Sequence, residues 1–212
     1  NEALALTVQV VQALEKAGEK QMAGEIRLYS AYCLYRTGRQ QEALVECDRA
    51  RKDAVEAAQP SLQRKALEYQ GLAYCAMNLP EKARQIYDEL SQLVREAMDA
   101  TEVMRPELLL GSIELEEKHW SQAIELLKRA AGRLPHETGF PGEEQALFIE
   151  RLALAYFGSG DFDKAGAEYG KIKALTTGRL TYGDIYARSF YMLGRIAEQN
   201  GDRASARESY GS

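Results

Sequence analysis

The chain has 212 residues, 45% of them hydrophobic and 28% charged, with a formal net charge of −5. That is enough apolar material for a sizeable core, and the acidic balance argues against a dedicated nucleic-acid surface, which calls for a basic stripe. No apolar run reaches the roughly 20 residues that span a bilayer, and residue 1 opens no basic-then-apolar signal segment, so no membrane contact is expected within these residues.

No block alternates with the period of two that a strand requires, so helices are predicted throughout. Residues 2–17 make a lone helix, with Leu4, Val8, Val11 and Leu14 on one stripe and Gly18 closing it. Helices then come in pairs: 21–37 with 40–58, 61–77 with 80–99, 106–117 with 120–134, 143–157 with 162–175, and 182–200 with one that starts at Arg203. Pro80 and Pro106 fall in a first turn, where a missing amide costs little, and Pro60 and Pro135 fall between pairs. The segments 135–142 and 176–183 are loops between pairs, and no composition shift makes either a domain boundary.

The pairs are copies of one repeat. Set in phase, they begin at Gly24, Arg64, Met104, Ala146 and Ala187, with steps of 64−24 = 40, 104−64 = 40, 146−104 = 42 and 187−146 = 41 residues. The eighth place of each holds Ala31, Gly71, Gly111, Ala153 or Gly194, and the twentieth holds Ala43, Ala83, Ala123, Ala165 or Ala206. Small residues at both places let two helices cross closely, and a constant step means that each repeat buries its apolar face against its neighbours.

With Leu34, Tyr74 and Tyr156 at the eleventh place, Tyr87, Leu127, Tyr169 and Tyr210 at the twenty-fourth, and turn glycines Gly38, Gly160 and Gly201, the chain resembles the tetratricopeptide repeat family over nearly its whole length. It departs from that pattern at Glu114 and Ala197 (eleventh place), at Cys47 (twenty-fourth), and at Asn78 and Lys118, which replace the turn glycine. The period also exceeds the family's usual ~34 residues, and HEAT or armadillo repeats, with a period of about 40–47, are the alternative. The resemblance implies an all-α, right-handed superhelical solenoid of antiparallel helix pairs with lengthened helices. Residues 1–212 are expected to form one such domain, cut from a longer array. The last repeat, residues 186–210, is similar to the arrays that accompany kinase and regulatory domains in bacterial multidomain signalling proteins, which implies as a second reading a regulatory or sensor segment of such a protein.

Little in the sequence offers catalysis, and the chain is read as a non-enzyme without cofactor or metal. Cys33, Cys47 and Cys75 form no CxxC pair and read as reduced thiols of a cytoplasmic protein. His119 and His136 lie at helix boundaries as solvated residues without a ligand set. The Gly158-Ser159-Gly160 break has no preceding strand and no Lys-Ser/Thr after it, so it is a turn and not a phosphate loop.

What the resemblance implies instead is a concave surface made by one face of each first helix. By place in the repeat, a partner protein or peptide would meet Leu28, Tyr32 and Tyr35, then Glu68, Tyr69 and Leu72, Leu108, Leu109 and Leu115, Glu150, Arg151, Leu154 and Phe157, and finally Arg188, Tyr191 and Arg195. Such a groove is aromatic with charge at one end, and it requires Tyr32, Tyr69, Leu109 and Phe157 to remain partly exposed. The carboxylate clamp of chaperone-binding members is absent, because Asn1, Asn78 and Asn200 are the only asparagines and none falls in the groove.

Overall fold

The computed structural model describes residues 2–134, 142–177 and 183–211, with side chains described for all of these except 3 and 142–144. His136, Tyr182 and most of both predicted loops lie outside the described residues. Among the described residues there are eleven α-helices and no strand: α1 (Glu2–Ala17), α2 (Lys20–Arg36), α3 (Gln40–Glu56), α4 (Pro60–Ala76), α5 (Pro80–Ala97), α6 (Met104–Glu116), α7 (Trp120–Gly132), α8 (Gly142–Ser159), α9 (Phe162–Thr176), α10 (Gly183–Gln199) and α11 (Arg203–Tyr210). A 3-10 turn, Ala100–Glu102, precedes α6, and Pro60 opens α4 instead of standing between pairs. None of these helices is long and apolar enough to cross a membrane.

The chain divides into two compact units, residues 1–109 and residues 110–212. In the N-terminal unit α2 pairs with α3 and α4 with α5, α3 leads onto α4, and the first helices α2 and α4 lie side by side, with α1 against α2. In the C-terminal unit α8 pairs with α9 and α10 with α11, α7 packs on α8, α9 on α10, and the first helices α8 and α10 touch.

The turns between paired helices share one backbone. Gly38, Gly160 and Gly201 have φ of 84, 84 and 75°, and Asn78 and Lys118, at the same place in their repeats, reach 55 and 62°. A left-handed residue there ends the first helix and lets the chain double back. Two second helices are then started by an aspartate: Asp161 accepts from the Lys164 amide at 3.2 Å and Asp202 from the Ser205 amide at 3.0 Å.

The small places are crossing points. Ala31, Ala43, Ala83, Ala123, Ala153 and Ala165 have no exposed surface. A Cβ at Gly111 would stand 2.7 Å from Leu127 Cγ, and one at Gly194 would collide with the Tyr210 ring, so an eighth-place glycine receives the twenty-fourth-place side chain of its own repeat. At Gly71 the space is taken by Leu109, whose methyl carbons would lie 2.5 Å from an added Cβ. Helices of 17 or 18 residues in the first two repeats account for the lengthened period there.

Candidate partner-binding surface

In the N-terminal unit the expected groove residues are core residues. Leu28, Tyr32, Tyr35, Tyr69, Leu72, Leu108 and Leu109 are all buried, with Tyr32 8%, Tyr69 4% and Leu109 0% exposed. Three of the four residues on which the groove depended are therefore more than nine-tenths buried, although Leu28 and Tyr69 still give an edge to a cavity between α2 and α4. The cause is lateral packing of the first helices: the Tyr32 and Tyr69 rings meet at 5.8 Å between α2 and α4, and Leu109 fills the space above Gly71. The reachable stripe of α2 lies on another face and carries Glu25, Tyr29 and Cys33, with Tyr29 60% exposed. Tyr29, which the repeat pattern does not single out, edges a cavity of about 300 Å³ between α2, α4 and the start of α6, together with Gln21, Glu25, Lys65 and Arg105.

Beside that cavity lies an ion cluster that takes Glu68, expected in the groove, into the core instead. Arg105 donates to Glu68 at 2.7 Å and to Glu102 at 2.6 Å, and Arg64 donates to Glu102 at 3.4 Å. All four side chains are buried. A larger cavity of about 940 Å³ runs between α1 and α3, with Val11, Arg27 and Leu34 among the buried residues lining it. Arg27 is held there by Glu15, by Glu46 at 3.2 Å and by Asp53 at 2.9 Å. Burial opposes its charge, but the bonds to Asp53 and Glu46 outweigh that and hold its pKa above the ordinary value.

In the C-terminal unit Leu115, Glu150 and Arg151 are likewise buried, with Arg151 donating to Glu116 at 3.4 Å. The remaining expected residues stay reachable. Leu154 and Phe157 on α8 are half-buried, Arg188 on α10 is exposed, Tyr191 is 51% exposed and Arg195 is half-buried. The Arg195 guanidinium lies over the Phe157 ring at 5.7 Å and the Tyr191 ring at 6.0 Å, and Nη1 donates to the Tyr191 hydroxyl at 3.3 Å. Tyr191 in turn meets the Tyr210 ring at 6.0 Å. Arg188 Nε stands 3.7 Å from the buried Glu150 carboxylate. That pair repeats the Glu68–Arg105 contact: fifth place of one repeat to second place of the next.

No family model matches the sequence, and no curated protein matches it significantly. Solved structures do. The crystal structure of BtubC (BKLC) from P. vanneervenii has a TM-score of 0.63 at 17% identity, over 98% of this chain and 86% of that one. A tetratricopeptide repeat protein from Parabacteroides merdae ATCC 43184 matches with a TM-score of 0.52 at 14% identity, over 100% and 92% of the two chains. The nearly identical TPR-like repeats of a candidate kinesin light chain from Podosopora anserina give 0.52 at 16%, over 87% and 90%. The fold is that of the tetratricopeptide repeat. Its helix pairs here are α2/α3, α4/α5, α6/α7, α8/α9 and α10/α11, so the reachable Phe157–Arg195–Tyr191 cluster belongs to the first helices of the last two tetratricopeptide pairs.

His119 is exposed to solvent, its side chain 53% accessible, and it also meets two carboxylates. At the turn after α6 its Nδ1 lies 2.8 Å from a Glu114 carboxylate oxygen and 3.7 Å from Glu117, and ligand atoms of these three side chains fall within 4.8 Å of one another. The spacing i, i+3, i+5 at a helix end is that of none of the usual zinc or calcium motifs. The left-handed Lys118 is what turns His119 back over its own helix.

Proposed function

We propose that this chain is a non-catalytic tetratricopeptide-type scaffold, and that the first-helix face of its C-terminal unit binds a segment of a partner protein. The observation that carries this reading is the difference between the two units: the aromatic residues expected to bind in the N-terminal unit are taken up in its core, whereas Phe157, Tyr191 and Arg195 form a connected cluster open to solvent. Large rings and guanidinium groups bury much area at a small entropy cost and keep polar edges for a partner, which is why such residues carry most binding energy at interfaces.

Panning the 212-residue chain against displayed random dodecapeptides tests the proposal. Enriched peptides should lose about tenfold or more in affinity, roughly 1.4 kcal/mol, for Tyr191→Ala. Tyr29→Ala, an equally exposed tyrosine on the N-terminal unit, should leave affinity unchanged. Peptides that ignore Tyr191→Ala, or no enrichment at all, would defeat the reading.

A further inference from the structure

Resting on that reading, we propose that Arg195 recognises a side-chain carboxylate, an Asp or Glu that stands beside an apolar residue in the bound segment. The geometry prepares the guanidinium for this. Two rings, Phe157 and Tyr191, hold its face, and the Tyr191 hydroxyl takes one Nη1 donor. A guanidinium has five N–H donors in a rigid fork, and a fork already oriented by stacking loses little further entropy when it takes up a carboxylate.

The partners of the other arginines sharpen the point. Arg27, Arg64, Arg105 and Arg151 are buried on carboxylates and hold helices together. Arg195 makes no ion pair with any described residue; two rings and the Tyr191 hydroxyl position it instead, and the carboxylate of Glu198 acts on it only through its field. Arg188, on the same helix two turns earlier, brings a second guanidinium to the face, its charge shared with the Glu150 carboxylate at 3.7 Å. Beside the guanidinium, the half-buried Leu154 and Phe157 offer apolar surface, which sets the neighbouring residue of the segment. A guanidinium set among aromatic and apolar side chains is complementary to an acidic side chain with an apolar neighbour, and that complementarity selects the segment.

The test is a double-mutant cycle on a peptide enriched by the intact chain from a library whose peptide C termini are fused, so that every carboxylate offered is a side chain. Enriched sequences should share an Asp or Glu next to an apolar residue. Arg195→Met should weaken a representative peptide by about tenfold or more, Arg195→Lys by less, and Glu→Gln or Asp→Asn in the peptide should cost nothing further once Arg195→Met is present. An unchanged melting temperature for both Arg195 variants separates binding from folding. Peptides that depend on Tyr191 but tolerate loss of their acid would overturn the carboxylate assignment and leave the binding face standing. Peptides indifferent to both Tyr191 and Arg195 would overturn both. A free peptide whose terminal carboxylate alone competes equally would also overturn it, by moving the contact from a side chain to a chain end.

Discussion

Lys118 and Asn78 replace glycine in the turns between paired helices. Each stands where the other repeats have Gly38, Gly160 or Gly201, and each takes the same left-handed backbone, with φ of 62° for Lys118 and 55° for Asn78. The two differ in cost. An asparagine side chain tolerates this region, whereas a lysine bears the full clash between Cβ and backbone, roughly 1–2 kcal/mol. Glycine removes that clash but adds freedom to the unfolded chain, so Lys118→Gly should stabilise the protein by about 0.5–1 kcal/mol. Asn78→Gly should change it by less. Urea denaturation of the two variants side by side measures the difference, and a destabilised Lys118→Gly would mean that the lysine side chain makes a contact worth more than its strain.

At the scale of the helix, the twentieth place separates a crossing point from a surface. Ala165 on α9 has no exposed area, while Ala167, two residues on and round the same helix, faces solvent. Ala165→Leu should therefore cost about 1–3 kcal/mol by overpacking, and Ala167→Leu should stay within about 0.5 kcal/mol; equal effects would put the helix in another phase. The phase is readable from sequence because small residues recur wherever backbones approach, and the turn residues follow at a fixed distance. The predicted ends of α1 match the structure, and most others shift by one or two residues. The binding residues are less legible. Tyr32 and Tyr69 have the composition of a binding surface and the burial of a core, because three residues, the step from Tyr29 to Tyr32, leave only about 60° of rotation between the solvent side of a first helix and the side that meets the next one. Nothing in the sequence distinguishes Tyr29 from Tyr32 on that point. Arg105, Glu68 and Glu102 could not be paired either, since their contact needs the 3-10 turn that brings Glu102 beside Arg64 and Arg105.

For the molecule as a whole, the reporters of folding are divided between the compact units. Cys33, Cys47 and Cys75 all lie in the N-terminal unit, Cys33 exposed and the other two buried, and the single tryptophan, Trp120, lies in the C-terminal unit with its ring against Gly158. Burial, helped by the charges of Asp48 and Glu46, pushes the Cys47 thiol far above its ordinary pKa, so in the native protein it stays protonated and unreactive. Thiol labelling of the folded chain should modify Cys33 alone, and the two protected thiols should react only when the N-terminal unit opens. In a repeat protein each repeat is stabilised by its own packing and by its immediate neighbours, so a local defect weakens nearby repeats most. Ala165→Leu, placed in the C-terminal unit, should accordingly lower the urea midpoint reported by Trp120 fluorescence more than the midpoint at which Cys47 and Cys75 become reactive. Identical shifts in both signals would instead show that residues 1–212 unfold as one cooperative domain, because a defect confined to α9 would then have been shared by every helix from α1 onward.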